Sequence, residues 1–245
     1  SSVGVKKIIC TYDKIDKLME FINPKDFKLT IDEYHNFLKQ YSFRDKAING
    51  VLAHFKEFKS YCFLSATPIP NNLKPAIFND IPEYMADWNT TDDITVYPYH
   101  TDKPYMVAAK FIKTYQAKGC LNVNGIESKE AYFFINSVTE IKAILKQTQL
   151  TEDDYRIICA DNPKNRSLEE YTISSSADAP KKFNFITSKS FEGVDFHSET
   201  GLCFVVSNVQ NRHTLVSIDM DIPQIVGRIR TKSNPFRNKV VHIFN

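Results

Sequence analysis

Glycine is scarce in this sequence, and long apolar runs are absent from it. Seven glycines in 245 residues leave little material for a glycine-rich phosphate-binding loop, and neither GxxxxGKS nor GxxxxGKT occurs anywhere. No apolar run approaches the roughly 18 residues of a transmembrane helix, and the first residues do not form a signal peptide. We therefore expect no contact with a membrane. The first residue is Ser1 rather than Met, so we expect an internal piece of a longer protein.

The five cysteines are odd in number and widely spaced, and no two of them form a CxxC pair. This usage argues against a disulfide framework or a structural zinc site, and it favours a reducing compartment, which we take to be the cytoplasm. The 31 Lys and Arg against 29 Asp and Glu leave a net charge of +2. A basic nucleic-acid module has a larger excess of positive charge. Any contact with nucleic acid should therefore depend on individual residues placed in a groove.

Short apolar runs typical of buried strands alternate with segments of helical periodicity. The predicted strands are residues 7–11, 27–31, 61–65, 131–135, 155–159, 183–187, 202–206 and 239–244. Helices are expected around residues 15–22, 48–58 and 105–117, and after the capping box that Ser137 and Glu140 form. This alternation indicates an α/β fold with mainly parallel sheets, in which ligands bind at the carboxyl ends of strands.

Residues 71–103 are rich in proline and lack periodicity, which is typical of a connection between domains. We therefore expect one domain over residues 1–95 and a second over residues 104–245. Residues 161–182 are polar and rich in serine, and an exposed loop with one short helix is expected there.

Two candidate catalytic segments follow predicted strands of the first domain. Asp32-Glu33-Tyr34-His35 comes directly after residues 27–31. Two adjacent carboxylates at the end of a strand suit the hydrolysis of a magnesium-bound nucleotide, because one can hold the metal through water and the other can accept a proton. Ser65-Ala66-Thr67 ends another predicted strand, and its hydroxyl groups could hydrogen-bond to His35. Taken alone, each segment also fits a solvated turn.

A third segment follows the strand at residues 183–187 in the second domain. It contains the hydroxyl residues Thr187 and Ser188, then Gly193, then the carboxylate of Asp195. Hydroxyl groups, a backbone opened by glycine and a carboxylate could contact a phosphate backbone and a ribose. A loop between a strand and a helix would show the same composition.

A fourth segment is typical of the start of a helix, with Asp221 as the expected N-cap and a proline in the first turn. Gln224 and Arg228 are four residues apart, so we expect them on one helical face, with Arg230 close by. An amide and a guanidinium presented together suit a γ-phosphate. A solvated basic helix face is the alternative.

In this order, each at a strand end or a helix start, the four segments resemble motifs of the superfamily 2 helicases and translocases of the DExH type. DEYH is similar to motif II, SAT to motif III, TSKSFEGVDF to motif V and QIVGRIR to motif VI. The segment CTYD, which contains Thr11, resembles motif Ib, and FINS resembles motif IV. The resemblance covers nearly the whole chain. It implies two RecA-like lobes, the N-terminal one incomplete, with ATP and nucleic acid (DNA rather than RNA) bound between them.

The resemblance also implies a role for each matched residue. Asp32 would coordinate Mg²⁺ through water, and Glu33 would activate the water that attacks ATP. Gly193 and Asp195 would serve the bound nucleotide. The other matched residues would couple hydrolysis to strand movement (His35, Ser65 and Thr67), hold the nucleic-acid backbone (Thr11, Thr187 and Ser188) and approach the γ-phosphate (Gln224, Arg228 and Arg230).

The sequence departs from this family pattern in two ways. Motif I, the phosphate-binding loop, is absent, so we expect it in a missing N-terminal segment and expect this chain alone to hydrolyse little ATP. The commoner pattern has two arginines three residues apart, and the chain has Thr231 where the second would fall. We therefore prefer Arg228 to Arg230 as the arginine finger, the side chain that neutralises charge on the γ-phosphate.

From these motifs we expect a fragment of an ATP-dependent helicase or translocase. The alternatives are a non-catalytic helicase-like module that binds nucleic acid or protein, and a plain nucleotide-binding α/β enzyme.

Overall fold

The computed structural model describes residues 4, 6–86, 93–160, 165, 171–191 and 194–245. The chain forms two compact units, Ser1–Tyr84 and Met85–Asn245. In the part of the chain that is described, no helix is both long enough and apolar enough to cross a membrane.

The first unit is built on two parallel strands, β1 (Lys28–Ile31) and β2 (Ser60–Phe63). Its helices are α1 (Ile15–Met19), α2 (Asn36–Lys39) and α3 (Tyr41–His54), and a 3₁₀ turn, Phe55–Glu57, follows α3. The apolar residues expected at helical spacing over residues 48–58 lie in the unit's core with residues of both strands, although α3 itself ends at His54. Because Ile31 pairs with Phe63, the two strands end side by side. The residues that follow them therefore share one edge.

Two helices of the first unit come into close contact at Gly50. A Cβ atom added at Gly50 would lie 2.6 Å from Oδ1 of Asp16 and 3.0 Å from Cγ2 of Ile15. Since Cβ atoms do not approach other atoms so closely, a larger residue at this position would require the side chains of Asp16 and Ile15 to move.

The second unit contains a six-stranded sheet in which every strand is parallel to its neighbours, in the order β3-β10-β9-β6-β8-β7. Its strands are β3 (Thr95–His100), β6 (Glu130–Phe134), β7 (Tyr155–Ile158), β8 (Phe183–Ile186), β9 (Gly201–Val206) and β10 (Lys239–Phe244). A hairpin, β4 (Leu121–Val123) and β5 (Ile126–Ser128), precedes β6. The helices are α4 (Pro104–Lys118), α5 (Val138–Thr148) and α6 (Asp221–Val226).

Both faces of this sheet are covered, as expected for parallel strands. Side chains of α4 and α5 share one core with Phe133, and those of α6 share a second core with Tyr132 and Phe134 on the opposite face. Phe133 stacks on both Phe185 and Phe204, with ring centroids 5.5 Å and 4.7 Å away. Each such aromatic pair adds about 1 kcal/mol beyond the burial of its area.

The predicted α/β class with mainly parallel sheets is confirmed. The expected cap of α5 also forms, because Ser137 Oγ accepts a hydrogen bond from the Glu140 N–H. That the two units act as RecA-like lobes stays a prediction.

Three local predictions are corrected. No strand forms over described residues 7–11, where the side chain of Ile9 is 90% exposed. Residues Thr95–His100, placed between domains by their sequence, form an edge strand that pairs with β10. Asp221 is the first residue of α6 rather than its N-cap, and its carboxylate accepts a hydrogen bond from the Ser217 N–H.

Candidate functional site

The carboxyl ends of β1 and β2 form the first cluster of candidate residues. Backbone hydrogen bonds continue the pairing past the strands, since Leu64 N–H donates to Ile31 O (2.8 Å) and Tyr34 N–H donates to Leu64 O (3.1 Å). Glu33 has a left-handed backbone conformation, with φ of 51°. Such a conformation is uncommon outside glycine, and it is found often at functional sites. The Asp32 carboxylate caps this turn by accepting a hydrogen bond from the Glu33 N–H at 3.0 Å.

His35 joins the residues that follow the two strands. Its side chain is fully buried, and its Nδ1 atom lies 2.7 Å from Ser65 Oγ and 3.1 Å from Glu33 Oε2. Ser65 Oγ also accepts a hydrogen bond from the Thr67 N–H at 3.0 Å. A continuous polar path therefore runs from the carboxylate after β1 to the backbone after β2. The structure brings together all five residues predicted at this edge: Asp32, Glu33, His35, Ser65 and Thr67.

The segment around Thr11 borders this cluster. Thr11 is exposed and precedes the 3₁₀ turn Tyr12–Lys14. The Tyr12 hydroxyl donates to the backbone oxygen of Asp32, so it holds the turn against the end of β1. The Arg44 guanidinium hydrogen-bonds to the Asp13 carboxylate and lowers the pKa of that carboxyl. Sequence reasoning missed Tyr12 and Arg44, although Tyr12 lies between two residues of the predicted CTYD segment.

Within the part of the chain that the structure describes, no group of three or more His, Cys, Asp and Glu side chains could hold a metal ion by itself. Mg²⁺ needs no such cage, because it keeps several waters and binds one or two carboxylates together with substrate phosphates. The exposed carboxylate of Asp32, at the carboxyl end of β1, fits this mode of coordination.

The second cluster lies after α6. Arg228 is 9% exposed, and its guanidinium folds back onto Gln224, with Nε donating to the backbone oxygen (2.9 Å) and Nη2 donating to Oε1 (3.1 Å). The helix ends before Arg228, so this side-chain contact, rather than a continuous helical face, brings the two residues together. Arg230 is more exposed, and its Nε donates to Asp195 Oδ1 at 2.8 Å.

Backbone pairing fixes the position of Asp195 relative to the arginines. Phe196 N–H donates to Arg228 O at 2.7 Å, and Arg230 N–H donates to Phe196 O at 2.9 Å. Arg228 Nη1 also lies 3.9 Å from Asp195 Oδ1. Of the predicted residues in this part of the chain, Gly193 lies outside the described residues.

Thr187 and Ser188 follow β8 and form a third cluster at the carboxyl edge of the large sheet. Thr187 is buried, and its N–H donates to Ile158 O at 3.0 Å. Ser188 is exposed, and its N–H donates to Asn136 Oδ1 at 3.2 Å. Asn136 in turn donates from Nδ2 to His213 O at 2.6 Å. Sequence reasoning quoted Asn136 in a motif without giving it a role, although a polar side chain just after a buried strand was a usable signal.

A buried polar pair beneath the second cluster was also missed. Arg156 in β7 is 2% exposed, and its Nε donates to Asn184 Oδ1 in β8 at 2.6 Å. Its guanidinium carbon lies 5.4 Å from the ring centroid of Phe196, and burial lowers the pKa of Arg156. Arg156 thus supports the segment that carries Asp195. An arginine inside the apolar run Tyr-Arg-Ile-Ile was the available signal.

Comparisons with known proteins do not place the chain in a family. No family model matches it, and no curated protein matches it. Among solved structures, the chain is similar to a crystal structure described as that of a CRISPR-associated protein, with a TM-score of 0.41 and 12% sequence identity. That alignment covers 83% of this chain and 22% of the other chain, so this chain spans less than a quarter of that protein's length.

The expected membership in the superfamily 2 DExH helicases is therefore corrected. No family model supports it, and the similar structure is described as that of a CRISPR-associated protein. The physical reason is that the matched segments are short, and that DEYH, SAT and the first residues of TSKSFEGVDF lie just after strands. Asp, Ser and Thr recur at such positions in unrelated α/β proteins, because their side chains cap turns and helices.

Proposed function

We propose that this chain is part of an ATP-dependent protein that moves along or unwinds a nucleic-acid strand, with DNA as the strand to test first. The observation that carries the proposal is the contact of His35 with both Glu33 and Ser65 at the carboxyl ends of β1 and β2. A carboxylate at that edge can accept a proton from water. A buried histidine beside it can transmit a conformational change at the end of β1 to the end of β2.

The first unit would supply the hydrolytic groups. Asp32 would hold Mg²⁺ through water, and the ion would neutralise charge on the nucleotide phosphates. Glu33 would accept the proton of the attacking water. His35, Ser65 and Thr67 would transmit the state of the nucleotide along their hydrogen bonds.

The second unit would supply groups for the phosphates and for the strand. Gln224, Arg228 and Arg230 would approach the γ-phosphate, where cations stabilise developing charge. Asp195 and Gly193 would contribute to nucleotide binding. The residues proposed to hold the backbone of the strand are Thr11 in the first unit and Thr187 and Ser188 in the second.

The phosphate-binding loop must come from elsewhere in this account. Because the sequence contains neither GxxxxGKS nor GxxxxGKT, we propose that an additional segment with this loop acts together with the chain. The chain by itself should then bind and hydrolyse ATP poorly. A cytoplasmic location accords with the five cysteines, all of which are free thiols.

A non-catalytic module that binds nucleic acid or protein is the second candidate. The observation in its favour is that Asp195 lies 2.8 Å from Arg230 and 3.9 Å from Arg228, which partly neutralises the cations proposed for the γ-phosphate. Such a module would bind its partner with the same affinity whether or not ATP is present.

The proposal is tested by Glu33→Gln in a protein that contains both this chain and a phosphate-binding loop. We expect strand-stimulated ATP hydrolysis to fall by roughly 10²-fold or more, because the amide cannot accept the proton. ATP binding should be preserved, since glutamine has the same shape. The two quantities are measured as steady-state turnover and as equilibrium binding of a fluorescent ATP analogue.

Glu20→Gln is the matched control, because Glu20 is an exposed carboxylate of the same unit that lies outside the cluster. It should leave turnover unchanged. If turnover is undiminished in Glu33→Gln, Glu33 is not the general base, and the non-catalytic module is favoured.

A further inference from the structure

An open basic pocket lies outside the proposed site, at the amino ends of β3 and β10. These strands begin in register, with Thr95 paired to Lys239. The pocket is lined by Lys232, Arg237 and Lys239, and Asp93 is the one carboxylate among its lining residues. The strands are parallel, so this pocket lies at the edge of the sheet opposite to Thr187 and Ser188.

The charge of this region comes from a short stretch of sequence. Between residues 222 and 245 the chain has five Lys and Arg and no Asp or Glu. Arg228 and Arg230 lie near Asp195, and the other three cations line the pocket. Among the described residues, no carboxylate forms an ion pair with Lys232 or Lys239.

The backbone beneath these cations is held in place by Asn234, which is 4% exposed. Its Nδ2 donates to Ser198 O (2.8 Å) and Gly201 O (3.0 Å), and its Oδ1 accepts from the Phe236 N–H (2.7 Å). The Thr95 N–H also donates to Asn238 O at 2.8 Å. The loop that carries the cations is thus fixed before any ligand arrives, which lowers the entropic cost of binding.

We propose that this pocket binds phosphodiester groups of a nucleic-acid strand. This inference rests on the proposed function, to which it adds a second binding region for the strand. The lining is polar apart from Pro235, so it offers cations and hydrogen-bond donors to phosphate oxygens but no apolar recess for a peptide side chain. Lys and Arg that contact phosphates position a strand without reading its sequence.

The distance between the two edges of the sheet determines how long a nucleic acid must be to contact both. The β-strands of this sheet have four to six residues and span roughly 13–20 Å at about 3.3 Å per residue. A duplex rises about 3.4 Å per base pair. A nucleic-acid strand with this rise that contacts both the pocket and Ser188 must therefore extend over at least about four to six nucleotides.

The test measures how salt weakens the binding of a labelled single-stranded oligonucleotide to the full chain, by fluorescence anisotropy. We expect the double variant Lys232→Gln/Lys239→Gln to bind more weakly and to lower the slope of log K against log salt by about 1.4, since each phosphate that a cation neutralises on a single strand accounts for about 0.7 of that slope. The control Lys110→Gln/Lys118→Gln removes the same charge from exposed positions on α4, and it should leave the slope unchanged.

An unchanged slope in the Lys232→Gln/Lys239→Gln variant would overturn the inference, whereas weaker binding in Thr187→Ala/Ser188→Ala would still support strand binding at the carboxyl edge. If the unaltered chain fails to bind the oligonucleotide at all, the pocket and the strand-binding part of the proposed function both fail. Binding of inorganic phosphate in the pocket can be detected by NMR shifts of the amides of residues 232–239. If phosphate binds there but does not weaken the binding of the oligonucleotide, the inference is also overturned.

Discussion

Arg228 and Arg230 are two residues apart but have different surroundings. Arg228 is buried and donates two hydrogen bonds to Gln224, whereas Arg230 has a side chain that is 47% exposed and contacts Asp195 near the surface. Hydrogen bonds from a buried charged group contribute more to stability than an exposed ion pair does. Arg228 therefore also stabilises the turn after α6, while Arg230 retains more access to a ligand.

This difference predicts unequal losses of stability. Arg228→Lys keeps the charge but removes the planar donor pair, so the free energy of unfolding should fall by about 2 kcal/mol. Arg230→Lys should cost less than about 1 kcal/mol, because its ion pair is exposed. Urea denaturation followed by circular dichroism measures both. Equal losses would contradict the separate roles given to the two arginines.

Some contacts of single residues could be predicted from the sequence, and others could not. Asp32 and Ser65 lie at the carboxyl ends of two apolar segments that are predicted as strands, and parallel strands end at a common edge, so their proximity follows from the strand pattern alone. The contact of Arg156 with Asn184 depends on the register of two strands that lie far apart in sequence. Local patterns carry no information on that register, so the buried pair appears only in the structure.

At the scale of elements, β7 and β8 are joined by Arg156 and Asn184 as well as by their backbones. Arg156→Met and Asn184→Ala should each lower the free energy of unfolding by about 2 kcal/mol, because each removes a buried hydrogen bond to a charged group. The double variant should lose at least about 0.5 kcal/mol less than the sum of the two, since both changes remove the same interaction. A double-mutant cycle by urea denaturation measures this coupling.

Lys146→Met, on the exposed side of α5, is the control for the loss of a long cationic side chain. Its effect on the free energy of unfolding should simply add to that of Asn184→Ala, so the coupling energy of this pair should be close to zero. Strict additivity of Arg156→Met and Asn184→Ala would show that the two side chains do not stabilise each other.

Elements that depart from their predictions do so for identifiable reasons. The apolar run at residues 7–11 indicates a strand, but no described strand pairs with it. Thr95–His100 contains Pro98, which argues against a central strand but is tolerated at a sheet edge. The β4–β5 hairpin was missed because its strands have only three residues, although Asn124-Gly125, both with positive φ, is a strong hairpin signal.

At the scale of the whole molecule, the proposed activity requires both units. Asp32, Glu33 and His35 belong to Ser1–Tyr84, and the arginines belong to Met85–Asn245. A protein that moves along a strand must bind that strand with different affinity in different nucleotide states. The path from Glu33 through His35 to Ser65 is the part of the first unit that we propose to carry this coupling.

The most direct measurement is therefore the Kd for a labelled single-stranded DNA in the presence of a non-hydrolysable ATP analogue and of ADP. It uses the protein that contains this chain together with a phosphate-binding loop. We predict that the two Kd values differ by about 5-fold or more, and that Ser65→Ala, which removes the hydroxyl shared by His35 and Thr67, reduces the difference. Equal Kd values with both nucleotides in the unaltered protein would contradict the account.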